Sequence, residues 1–203
     1  MVLSIKGNLF IFPSCFAPLI NNDTAQINPK STNQRISGAF EVGRGEIPGG
    51  CRARPSRFTS IGAVGSYQIG YGISKNFEAG GQFGGGIGQF IKESRERNII
   101  GNLTSLGYLK IGGSMRNFNF AMKLASGSGI FYSPSDIRPL PTGYADLMLG
   151  FGNPEELTLY LGLENLIPRL GANLHFEKFS LFAQISGGPG ESFFLKLGAG
   201  YKF

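Results

Sequence analysis

From Ser192 to the end, hydrophobic and polar positions alternate without a break. Phe193, Leu195, Leu197, Ala199, Tyr201 and Phe203 fall on one parity, and Phe194, Lys196, Gly198, Gly200 and Lys202 on the other. A β-strand turns successive side chains to opposite faces, so this stretch predicts a strand with one apolar face and one mostly polar or glycine face. The pattern recurs upstream. Ile36, Phe40 and Val42 oppose Ser37, Glu41 and Gly43, while Ile61, Tyr67, Ile69 and Tyr71 oppose Ser66, Gln68, Gly70 and Gly72. Phe77, Phe83 and Ile87 oppose Glu78, Gln82 and Gly86; Leu109 and Ile111 oppose Tyr108 and Lys110; Phe118, Phe120, Met122 and Leu124 oppose Asn119 and Lys123. Leu147, Leu149 and Phe151 alternate with Asp146 and Gly150, then Leu157, Leu159, Leu161 and Leu163 with Thr158, Tyr160 and Glu164. Four leucines spaced by two exclude a helix. Leu174 and Phe176 against Asn173 and His175, then Leu181 and Ile185 against Ser180 and Gln184, complete the series.

Counted this way, residues 36–203 hold about ten antiparallel strands, or eight if the short pair near 157–176 is miscounted. Long polar connections are expected at 45–57, 92–98 and 133–143, the last irregular because it carries prolines, and a further loop is expected at Asn165–Leu170. They alternate with tight turns such as Ser74-Lys75-Asn76 and Met115-Arg116-Asn117. Long loops on one side and short turns on the other are the arrangement of an up-and-down barrel that crosses a membrane, with apolar side chains facing lipid and polar ones facing the lumen.

Composition sharpens this. The chain has 32 Gly, 18 Phe, no Trp, one His and 16% charged residues, against roughly a quarter charged in soluble domains. No run of 18 or more apolar residues occurs, which excludes a helical span but not a strand that faces lipid only at every second residue. The net charge of +6 raises nucleic acid as a partner, yet no zinc-finger spacing or aromatic-basic signature accompanies it, so none is expected. Cys15 and Cys51 form no disulfide framework and no metal-ligand spacing, and no cofactor is implied.

Residues 1–25 carry Lys6 and an apolar run from Leu9 to Ile20 broken by Pro13 and Pro18. The run is too short to span and suits an export signal, with lipidation at Cys15 as a minor alternative. Residues 26–35 read as a periplasmic lead-in.

The last eight residues, Lys196-Leu197-Gly198-Ala199-Gly200-Tyr201-Lys202-Phe203, resemble the C-terminal signal of bacterial outer-membrane β-barrels. Its defined positions fall on Lys196, Gly198, Tyr201 and Phe203. The chain is therefore similar to small outer-membrane barrels, which implies a place in the bacterial outer membrane, contact with its lipids and lipopolysaccharide, and recognition by the barrel assembly machinery.

Parity assigns Glu41, Glu78, Asp146, Glu164 and Glu177, with Lys110, Lys123, Lys196, Lys202 and His175, to the lumen. Their signs nearly balance, and an unpaired charge in a confined space is costly, so an internally salt-bridged, plugged lumen is expected before a narrow solute channel. His175, Glu177 and Ser180 mimic a catalytic set, but they fall at the periplasmic end, out of reach of an outer-leaflet substrate. No enzyme is expected. Arg44, Arg52, Arg54, Arg57, Lys92, Arg95 and Arg97 project from the first two extracellular loops. They suit an adhesive or structural role through contact with lipopolysaccharide or an anionic host ligand.

Overall fold

The computed structural model describes residues 4–5, 8–9, 27–47, 56–93, 97–134, 136–153, 155–165, 167–187 and 192–203. Arg52, Arg54, Arg95, both cysteines and nearly all of the expected export segment lie outside them. Within that segment only Ser4–Ile5 and Asn8–Leu9 are described, as two short strands paired with each other.

The rest forms a closed barrel of ten antiparallel strands. In chain order these are β1 (Thr32–Ile47), β2 (Ser56–Ser74), β3 (Phe77–Lys92), β4 (Arg97–Met115), β5 (Phe118–Ser133), β6 (Asp136–Gly152), β7 (Leu157–Glu164), β8 (Ile167–Phe176), β9 (Phe179–Gly187) and β10 (Phe193–Lys202). Each strand pairs with its neighbour in sequence, and β10 closes on β1 from Phe193↔Arg44 to Lys202↔Arg35. Closure leaves no sheet edge running the full height of the wall, which a barrel in lipid requires.

Parity follows the sequence along every strand. Phe40, Leu161 and Leu197 are among the apolar side chains exposed on the outer surface, Phe40 at 74% and Leu197 at 53%, while Glu41, Tyr160 and Lys196 beside them are at most 3% exposed. The surface is apolar and the interior polar, the reverse of a soluble sandwich.

Three expectations change. β1 starts at Thr32, inside the stretch read as a lead-in. The segment before it also joins the barrel: Ile27 is buried, Lys30 N donates to Gly72 O at 2.7 Å, and Gly72 N donates to Ser31 O at 3.0 Å. Residues 136–143 are not irregular. β5 runs to Ser133 and β6 begins at Asp136, so Pro139 and Pro141 stand within a strand. Asn165 N donates to Ala145 O at 2.8 Å and Asn165 Oδ1 accepts from Ala145 N at 2.9 Å, so odd-numbered residues of β6 turn their backbone groups toward β7. The pairing of β6 with β7 begins only at Asp146↔Glu164. At Pro139 and Pro141 the absent N–H would therefore have faced a side with no partner strand, and no ladder bond is lost. Third, β8 begins at Ile167, in the stretch read as a loop, and brings Arg169 into the wall.

Gly198 shows how tightly the closing seam is packed. A Cβ there would stand 2.4 Å from Gly38 O, 2.4 Å from the Phe182 ring and 2.6 Å from Ala39 Cβ. The carbonyl belongs to the strand backbone and has little freedom to yield. Gly198→Val is expected to lower the unfolding free energy by about 1–3 kcal/mol, measured by urea titration in detergent.

Candidate functional site

The lumen is filled by side chains that the interstrand register brings into rows. One row crosses five strands as Glu78↔Lys110↔Lys123↔Asp146↔Glu164. Lys110 is 2% exposed and Lys123 3%. Lys123 Nζ donates to Gln68 Oε1 at 2.7 Å and to Gln82 Oε1 at 3.0 Å, and it lies 4.1 Å from the centre of the Tyr108 ring. Tyr108 OH donates to Glu78 Oε1 at 2.7 Å, Gln68 Nε2 to Tyr108 OH at 2.8 Å, and Tyr144 OH to Gln82 Oε1 at 2.7 Å. Lys123, which meets Lys110 in register, is thus surrounded by amide and phenol groups.

On the opposite side of the lumen, Lys196 Nζ reaches Glu41 Oε2 at 3.1 Å, both side chains almost wholly buried. Arg169 forms a buried ion pair with Asp146, and Tyr160 OH donates to Gln184 Oε1 at 3.2 Å. Toward the far rim, opposite the tight turns, the lumen becomes apolar. Ala39, Phe58, Val64, Phe90, Phe182 and Phe194 form one buried cluster, with the Phe58 and Phe90 rings stacked 4.6 Å apart. Gly43 makes room for it, since a Cβ there would fall 2.1 Å from the Phe194 ring.

Of the lumen residues expected from parity, Glu41, Glu78, Lys110, Lys123, Asp146, Glu164 and Lys196 are buried in the interior. Lys202 and His175 are half-buried near the turns, His175 opposite Ser180 in register. Glu177 is not in the lumen: it occupies the β8–β9 turn, exposed, at φ 45. A two-residue turn needs a left-handed residue at that point, and this overrides parity. Gly198, Tyr201 and Phe203 lie on or just past β10. Tyr201 and Phe203 are exposed with their rings 5.1 Å apart, and Phe203 N donates to Gln34 O at 3.1 Å.

The basic positions described sit at strand ends rather than in loops. Arg44, Arg57 and Arg97 are exposed on the outer face at the far rim, while Lys92 is half-buried on the inner parity. Arg57 Nε pairs with Glu46 Oε1 at 2.9 Å, so part of the positive charge is balanced locally. Arg169 went unread in the sequence because Pro168 resembles a loop residue. Carrying the inward parity of Asn173 and Gly171 one step further back would have found it.

No family model matches the chain, and no curated protein matches it. Among solved structures, the COG4313 outer membrane channel from Pseudomonas putida F1 superposes with a TM-score of 0.52 at 11% identity, over 91% of this chain and 100% of that one. The fold is that of a small outer-membrane β-barrel. Two further solved barrels match less closely in shape. The translocator domain of autotransporter NalP from Neisseria meningitidis has a TM-score of 0.38 at 11% identity, covering 87% of this chain and 90% of that one. Ail, the attachment invasion locus protein of Yersinia pestis, has 0.33 at 14%, covering 84% and 98%. For this barrel the likeness establishes architecture.

Proposed function

We propose that this barrel is a closed, non-catalytic surface module in the outer membrane of a diderm bacterium, with the far rim outside the cell and the chain ends in the periplasm. The observation that carries the reading is the filled interior: Glu41, Gln82, Asn119, Tyr160, Asn173 and Phe194 are each 1% exposed. Buried polar networks of this kind stabilise a wall rather than conduct through it. What is left to interact is the rim. Arg44, Arg57 and Arg97 stand there at headgroup height, where anionic phosphate or carboxylate groups of lipopolysaccharide, or of a host polysaccharide, are the complementary chemistry. Lys196, Gly198, Tyr201 and Phe203 serve as the address read by the assembly machinery.

The rim reading is tested by changing Arg44, Arg57 and Arg97 together to Gln. Binding of the purified protein to lipopolysaccharide is expected to weaken about tenfold or more, and wild-type binding to fall as salt rises. Unchanged affinity in the triple variant removes the reading. A narrow solute channel is the second reading, favoured by the many polar side chains on the inner face, and conductance separates the two.

A further inference from the structure

On one side of the barrel only, the apolar outer surface continues past the height of a membrane. Exposed Phe118, Phe151, Phe176, Phe179 and Tyr201 stand at the end with the tight turns, the place of a periplasmic aromatic girdle. At about 3.3 Å per residue and a tilt of about 45°, β7, β9 and β10, with 8, 9 and 10 residues, climb roughly 19–23 Å. That height fits an outward apolar band of about 25 Å. Across the barrel, β4 and β5 go on for 19 and 16 residues. Counted from Phe118 at the turn, Ser126 and Ser128 stand roughly 19 and 23 Å up, Ile130 roughly 28 Å and Tyr132 roughly 33 Å. Small and hydroxyl side chains mark where hydrocarbon ends: Ser105 pairs with Ser128, Gly107 with Ser126 and Ser126 with Gly143, all exposed on the outer face. They lie at the height where the short strands stop.

Above this belt the outer face turns apolar again. Leu103 pairs with Ile130, Ile130 with Pro139, and Tyr132 with Ile137. Leu103 is 67% exposed and Ile137 66%, with Ile99, Ile130 and Tyr132 exposed beside them. A contiguous apolar patch standing out of lipid marks an interface. Its chemistry and position narrow the partner. Arg138 and Asp136 at the hairpin tip pair with each other, so the patch is uncharged although the chain carries +6. Lipopolysaccharide sugars at that height are polar and are no complement to isoleucine and leucine. Pro139 and Pro141 remove two N–H donors from the upper edge of β6, which disfavours strand addition and leaves packing on the face. The face looks sideways along the membrane. Every copy of this chain holds the same patch at the same height, and a twofold axis along the membrane normal brings two of them together without lifting either barrel from its bilayer.

We propose that the outer face of β4, β5 and β6 above the serine belt packs against the same face of a second copy, giving a side-by-side dimer joined outside the hydrocarbon. Leu103, Ile130, Tyr132 and Ile137 form its centre. The proposal rests on the barrel crossing a bilayer and is independent of polyanion binding at the rim.

The chain has no Trp, so single reporters are unambiguous. Ile137→Trp places one in the patch, and Leu147→Trp places one lower on the same outward face of β6. The full chain is studied in phosphatidylcholine vesicles with and without brominated acyl chains, whose bromine quenches Trp. Leu147→Trp is expected to be quenched at every protein-to-lipid ratio. Ile137→Trp is expected to emit at short wavelength in protein-rich vesicles, almost unquenched, and to shift to the red as added lipid separates the copies. Adding Ile130→Gln is expected to raise the protein-to-lipid ratio at the midpoint of that shift by about tenfold. Strong quenching of Ile137→Trp means that acyl chains cover the patch and overturns the proposal. Red emission at every ratio, or a midpoint indifferent to Ile130→Gln, overturns it as well. An unquenched Leu147→Trp refutes the membrane-spanning reading itself and the dimer with it. Should Ile137→Trp fail to fold, sedimentation of the wild type in density-matched detergent decides: the mass of two chains is expected at high protein-to-detergent ratio, and one chain at every ratio overturns the proposal.

Discussion

Arg169→Leu is expected to lower the unfolding free energy by about 3–5 kcal/mol, the effect of leaving one partner of a buried ion pair uncompensated. Arg169 is 3% exposed and sits against Asp146 and Gln184, with its guanidinium carbon 5.5 Å from the centre of the Tyr160 ring. Leucine supplies similar apolar bulk but no charge, so Asp146 keeps its desolvation without its counter-ion. The double variant Arg169→Leu with Asp146→Leu removes both charges and is expected to recover much of the loss, since replacing a whole buried pair is often near neutral. Urea titrations of the three proteins in the same detergent check this. A loss below about 1 kcal/mol for the single variant would mean that water reaches the pair and screens it, which is the behaviour of an open lumen.

The second large effect is expected on the outer surface. Leu197→Arg places a charge on the lipid face of β10, between Leu195 and Ala199 on the same parity and opposite Phe40 of β1. Near mid-bilayer this is expected to cost about 2–4 kcal/mol, read as the difference in unfolding free energy between wild type and variant in phospholipid vesicles. A cost near zero would mean that this face does not meet hydrocarbon. The two variants probe opposite sides of one wall, so together they test the assignment of inside and outside on which the rest depends.

That assignment was legible in the sequence because it needs only a period of two and a knowledge of which residues lipid accepts. Ten strands, their antiparallel order and the burial of Glu41, Lys110, Asp146 and Lys196 follow from it. Where the sequence misled, a local cue spoke louder than parity. Pro139 and Pro141 suggest a loop, yet they lie in β6 at positions whose backbone groups face no neighbouring strand, a fact set by how early β7 ends. Pro168 concealed Arg169 in the same way. Glu177 keeps the inward parity of His175 but falls on the turn, where backbone conformation decides direction. Neither Phe58 nor Phe90 was read as interior, since an aromatic residue in a lipid-facing chain is naturally assigned outward. Their stacking with each other, and with Phe194 at 6.5 Å, depends on strands distant in sequence. The row from Glu78 to Glu164 was likewise visible only as separate charges until register aligned them.

Conductance of the purified barrel in planar phospholipid bilayers tests the closed lumen most directly. The wild type is expected to insert without discrete, ohmic current steps, because the Phe58, Phe90 and Phe194 cluster and the charged rows beneath it fill the interior. Stable, ion-selective steps from the wild-type protein would contradict it.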